Sequence, residues 1–111
     1  MAGSLININL SVDRVCALLR GLEDVTFFDL PDGLGMEFAE GGVARAYDAD
    51  PDGGTDINVK SPSDVVPRRV FEFLKERTTE ALWMTDDFSE IVATRGVTVQ
   101  EIDNPSEPFD Q

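Results

Sequence analysis

Four short β-prone runs follow one another between Val25 and Lys60, and each is divided from the next by turn residues. No other feature narrows the fold as much. Val25–Leu30 (VTFFDL) is β-branched and aromatic, and Pro31-Asp32-Gly33 after it is turn chemistry: proline presets φ and glycine accepts a positive one. Leu34, Met36 and Phe38 then alternate with Gly35, Glu37 and Ala39, before a second turn at Glu40-Gly41-Gly42. Val43, Arg45 and Tyr47 alternate with Ala44 and Ala46, and beyond an acidic loop Thr55, Ile57 and Val59 alternate with Asp56 and Asn58. Period-2 patterning on both sides of a Pro/Asp/Gly cluster predicts a β-hairpin. Tight connections between consecutive strands predict an antiparallel meander.

The flanks carry helical periodicity. Before the first helix, Ile6, Ile8 and Leu10 alternate with Asn7 and Asn9, a half-buried strand. Ser11 is placed to cap a helix with Asp13 in its first turn, Val12, Val15, Cys16, Leu19 and Leu22 form its stripe, and Gly21 ends it. A second helix opens at Ser63 or Asp64, tolerates Pro67 in its first turn, buries Val66, Val70, Phe73 and Leu74, and ends between Thr79 and Leu82. Arg68 and Arg69 fall on its solvated side. Asp87 with Glu90 resembles a capping box, so Phe88, Ile91 and Val92 are expected on a third helix closed by Gly96. Val97–Ile102 reads as a last strand. The expected order is β-α-β-β-β-β-α-α-β: an α+β fold, one domain over residues 1–102, with an antiparallel meander and three helices packed on one face. Residues 103–111 read as an acidic, disordered C-terminal tail.

Composition narrows function by exclusion. The chain has no histidine and one cysteine, so Ser-His and Cys-His triads, histidine-ligated zinc and an internal disulfide are all excluded. Cys16 lies on a helical stripe and is expected to be a buried, inert thiol. No pair of carboxylates is placed for acid–base work, and Gly33-x-Gly35 is not at a helix start, so neither catalysis nor a phosphate loop is supported. Trp83 and Met84 are expected to complete the core or join a partner patch. No basic-then-apolar leader is visible, and no apolar run approaches the ~20 residues a membrane helix needs, so a cytoplasmic protein is expected.

The formal net charge of −13 repels nucleic acid and anionic membrane and attracts basic surfaces. The leading expectation is a small acidic, non-enzymatic binding protein, monomer or homodimer, that masks a basic partner acting on nucleic acid. In a bacterial or phage setting that means an immunity protein, an antitoxin or an inhibitor of a nuclease or deaminase toxin. The partner-binding acids would be Asp48, Asp50, Asp52 and Asp56 on the hairpin loop, with Asp86 and Asp87 as a second cluster. Each would accept charge-assisted hydrogen bonds from Arg or Lys.

The loop also carries a metal reading. Asp48, Asp50, Asp52 and Asp56 stand at relative positions 1, 3, 5 and 9 with Gly53 at position 6. That spacing resembles the first half of an EF-hand loop, but position 12 is Val59 and the flanks are strands. It looks more like the D-x-D-x-D-G-x-x-D calcium hairpins of integrin-type propeller blades, in which the loop joins two strands. The resemblance covers about a tenth of the chain, and Pro51 departs from it. It implies a Ca²⁺ site at the four aspartates; the alternative is a solvated turn with no cofactor. A third expectation is a chaperone-like, self-associating domain, by fold analogy with small acidic secretion chaperones.

Overall fold

Alternation becomes structure through every one of the four central runs. The computed structural model describes residues 2–50, 53–86 and 91–93, with backbone alone at Ala2, Asp50, Asp86 and 91–93. The elements are β1 (Ala2–Ile8), α1 (Val12–Leu19), β2 (Val25–Leu30), β3 (Gly33–Phe38), β4 (Val43–Asp50), β5 (Gly54–Ser61), α2 (Val65–Arg77), β6 (Leu82–Asp86) and β7 (Ile91–Ala93). The strands form one sheet in the order β2-β3-β4-β5-β1-β6-β7, and every pairing is antiparallel. β2 to β5 are the expected meander. β1 enters beside β5 and separates it from β6, an arrangement set by long-range pairing.

The register puts one apolar row straight across the sheet: Leu34 opposite Ala46, Ala46 opposite Ile57, Ile57 opposite Ile6, and Ile6 opposite Met84. All five side chains are buried. Both helices cover this face. Val15 and Leu19 of α1, and Val66, Val70, Phe71 and Leu74 of α2, join the same core. Val66, Val70 and Leu74 stand at the expected helical spacing, whereas Phe71 takes the core place expected of Phe73, which is half-buried at its edge. Ser11 caps α1, its side chain accepting from the amide of Arg14 at 3.4 Å. α2 stops at Arg77, short of the expected end, because Thr78 turns extended and its hydroxyl accepts from the amide of Glu80 at 3.0 Å.

The third helix is not formed where it was expected. Ile91–Ala93 is a strand paired with β6, so the fold has two helices among its described residues. Phe88, Ile91 and Val92 were too few positions to separate periods of 3.6 and 2, and adjacent β-branched residues favour the strand. The capping residues Asp87 and Glu90, the strand expected over Val97–Ile102 and the tail from Asp103 lie outside the described residues. Trp83 and Met84 divide by the pleat: Met84 is core, whereas Trp83 is half-buried on the reverse face. Among the described residues no helix is long and apolar enough to cross a membrane.

On the reverse face no described helix packs, and burial there is uneven. Leu5 is 1% exposed, whereas Phe28 and Val43 are 43% and 44% exposed over the β2–β4 half. Two glycines are dictated locally. A Cβ at Gly35 would lie 2.2 Å from the Phe28 ring, so that ring rests on bare backbone. Gly54 sits at φ +75° after the register shift between Asp48 and Asp50.

Truncating the middle of the apolar row and truncating the reverse face should differ sharply. Ile57→Ala is expected to cost about 2–5 kcal/mol, and Val43→Ala about 1 kcal/mol or less. Urea unfolding of the two variants measures the contrast; equal midpoints would mean that the core is misassigned.

Candidate functional site

The hairpin puts two of the loop aspartates, Asp48 and Asp56, on opposite faces of the sheet. Asp48 pairs with Thr55 across the β4–β5 ladder, so Asp48 points to the helix side of the sheet and Asp56 to the reverse side. Asp56 is held there by β1: the Asn7 side-chain amide donates to its carboxylate at 2.8 Å and to the Gly53 carbonyl at 2.7 Å. Among the described residues no group of three potential ligands could hold a metal ion. Asp52 and Asp87 lie outside the described residues, and Asp50 and Asp86 are placed by backbone only. The antiparallel run puts β6 ending at the opposite end of the sheet from the β4–β5 loop, so Asp86 is not brought to Asp48.

A different set of acids does converge. The β2–β3 turn, the tip of the β4–β5 hairpin and the start of α1 all lie at one end of the sheet, because each strand reverses its neighbour. There a cleft of about 520 Å³ opens between α1 and the β2–β3 hairpin. Among the described residues Asp13 of α1, Asp29 of β2, Asp32 of the turn and Asp48 of β4 line it with Arg20. Arg45 reaches Asp32 from outside, so four acids meet two cations and leave a formal excess of two negative charges. Asp13 also sits in the first helical turn, where the positive end of α1 favours a carboxylate. Of these four, only Asp48 was singled out from sequence. The others are scattered over the chain, and each reads as a cap or turn residue by itself.

The cations near the cleft are tied to acids at its walls. Arg20 pairs with Asp29 at 2.7 Å, and Arg45 crosses from the reverse face to pair with Asp32. The Arg20 and Asp29 side chains are 50% and 90% exposed, so this bond is solvent-screened and worth little. Arg69, expected to be solvated, instead binds Glu40 at 2.6 Å and the Glu23 carbonyl at 2.8 Å, fastening α2 to the β3–β4 turn. Cys16 lines the cleft and is half-buried, not buried as expected. Burial pushes its thiol pKa up, and Asp13 adds to the effect. It is therefore a protonated thiol at neutral pH and a poor nucleophile.

The reverse face holds a shallow groove of about 610 Å³ over β2 to β5, where Phe28, Leu30, Val43 and Tyr47 mix with Arg45 and Lys60. The Arg45 guanidinium lies 5.1 Å from the centre of the Tyr47 ring. Burial raises the Asp56 carboxyl above the ordinary aspartate value, and the Asn7 hydrogen bond offsets part of that. Tyr47 is raised too, by burial first and then by the charge of Asp56.

Two outcomes follow. Because Asp56 holds its proton more tightly when folded, stability falls as pH rises from the unfolded aspartate value through the folded one, and the penalty is constant above it. Asp56→Asn, which can still accept from Asn7, is expected to raise Tm by a few degrees at pH 7, with the gain fading below about pH 4. A gain that persisted at low pH would rule out the ionised carboxyl as its cause. Alkylation of Cys16 by iodoacetamide at pH 7.5 should be slower than that of free cysteine and should speed up in Asp13→Asn; an unchanged rate would remove Asp13 from its surroundings. No family model, curated protein or solved structure matches the chain, so function has to be read from the residues themselves.

Proposed function

We propose that this chain is a small acidic, non-enzymatic binding protein that masks a basic partner, of the immunity-protein, antitoxin or phage-inhibitor kind. One observation carries the reading: Asp13, Asp29, Asp32 and Asp48, from four separate elements, share the wall of one cleft at one end of the fold. A surplus kept only for solubility needs no such convergence. Like charges brought together in a concavity raise the local potential, speed encounter with a cationic surface and offer acceptors to arginine or lysine. The partner surface that fits is one built to hold nucleic acid phosphates, as in a nuclease or a nucleic acid deaminase. Placement of Asp48 and Asp56 on opposite faces favours a protein cation over a metal ion. The raised thiol of Cys16 argues against nucleophilic chemistry in the cleft.

Two variants of equal net charge separate position from total charge. In one, Asp13, Asp29, Asp32 and Asp48 become asparagine; in the other, Glu23, Glu72, Glu76 and Glu80 become glutamine. Association with a lysine-rich protein probe is measured by stopped flow at low and at physiological salt. The cleft variant is expected to lose about tenfold or more in association rate, and the control variant far less. Equal losses would reduce the anionic surplus to a solubility device and end the proposal.

A further inference from the structure

Among the described residues the sheet stops at β2, although its hydrogen-bonding capacity does not. The amide of Ala39 donates to the carbonyl of Asp24 at 3.0 Å, which fixes the phase of the β2–β3 ladder. Thr26, Phe28 and Leu30 then turn their backbone groups toward β3, while Val25, Phe27 and Asp29 turn theirs outward. No described strand lies beyond β2. Its six residues contain no proline and no lysine, so the usual devices that blunt an edge are missing. One device remains. Asp29 stands opposite Leu34, at the end of the apolar row that crosses the sheet. A carboxylate in that position rejects an apolar strand, including a second copy of β2, which would set Asp29 against valine or phenylalanine. It accepts a strand that carries a cation there.

We infer that β2 is the docking edge for an extended basic segment of the partner, which adds an eighth strand to the sheet. This rests on the basic-partner reading and states the form that partner takes. The fitting segment alternates. Lysine or arginine on one side faces Asp29 and the cleft beyond it, displacing the exposed Arg20 from its pairing. Apolar residues on the other side rest on Phe28, 43% exposed, and on Leu30 at the near end of the reverse-face groove. Backbone pairing supplies affinity that tolerates sequence, and the alternate side chains supply the preference for charge.

The probe is an acetylated, amidated nine-residue peptide that alternates lysine and valine, titrated into the full ¹⁵N-labelled chain. The expected result is slowed exchange of the Val25 and Phe27 amides, with binding weakened a few-fold in Asp29→Asn and at least a further fivefold in Asp29→Pro. Proline at position 29 removes one outward donor and leaves the pairing with β3 intact, as edge strands allow. Equal affinities for the Asn and Pro variants would overturn the inference. So would peptide binding without protection at Val25 and Phe27, which is also the deciding result should Asp29→Pro fail to fold. Protection present before any peptide is added, together with a dimer by light scattering, would assign the edge to a second copy and overturn it as well. The two readings fail separately. If the four cleft substitutions abolish binding but the amides stay unprotected, the masking reading survives and the added strand does not. If the cleft variant binds the peptide as tightly as the unsubstituted chain, with protection retained, the strand survives and the acidic reading does not.

Discussion

One row of side chains holds this fold in register. Leu34, Ala46, Ile57, Ile6 and Met84 meet across five strands, each buried under α1 and α2. Slipping any strand by one residue would turn its whole apolar set to the reverse face, so the row fixes four pairings at once. Two of the strands it joins, β1 and β6, are far from the meander in sequence. Their inclusion turns a hairpin repeat into a sheet wide enough for two helices. The charged residues are left with the rims, the turns, the reverse face and the outer sides of the helices.

Much of this was legible locally, and the rest was not for identifiable reasons. Alternation in Val43–Tyr47 and Thr55–Val59 is a short-range property, so the hairpin could be read directly, although only the structure shows that Ala44 and Ala46, and not Val43 and Tyr47, face the core. Ser11 and the stripe through Val15 and Leu19 marked α1 in the same way. The insertion of β1 between β5 and β6 depends on pairings that no local pattern encodes. Sequence spacing brought Asp48 and Asp56 together on one loop, but the pleat decides otherwise: Asp48 shares its face with Thr55, and the next residue must point away. The cleft acids were missed for the opposite reason. Asp13, Asp29 and Asp32 have unremarkable neighbours and converge only through the reversal of successive strands.

The arginines show how an acidic chain spends its few cations. Arg20 fastens α1 to β2, Arg45 fastens β4 to the β2–β3 turn, and Arg69 fastens α2 to the β3–β4 turn. Arg20 and Arg69 also sit over the rings of Phe27 and Phe38, at 5.8 and 5.7 Å from their centres. Exposed pairs of this kind contribute little to stability one at a time. Their larger effect is on the field. Arg20 and Arg45 are committed to Asp29 and Asp32, so four acids meet two cations around the cleft and an excess of negative charge remains.

Asp29 joins the apolar row to the acidic cleft. By place it belongs to the apolar row, yet it is the one charged member, and it stands where the described sheet ends. A leucine there would extend the row to the edge and invite uncontrolled strand addition. The carboxylate opposes that by refusing apolar neighbours. The same charge is repaid when a cation arrives, because opposite charges facing each other across strands are favourable. Protection of the edge and selection of its occupant are therefore one property of one side chain, and the acidic cleft beside it extends that selection beyond the last residue of β2.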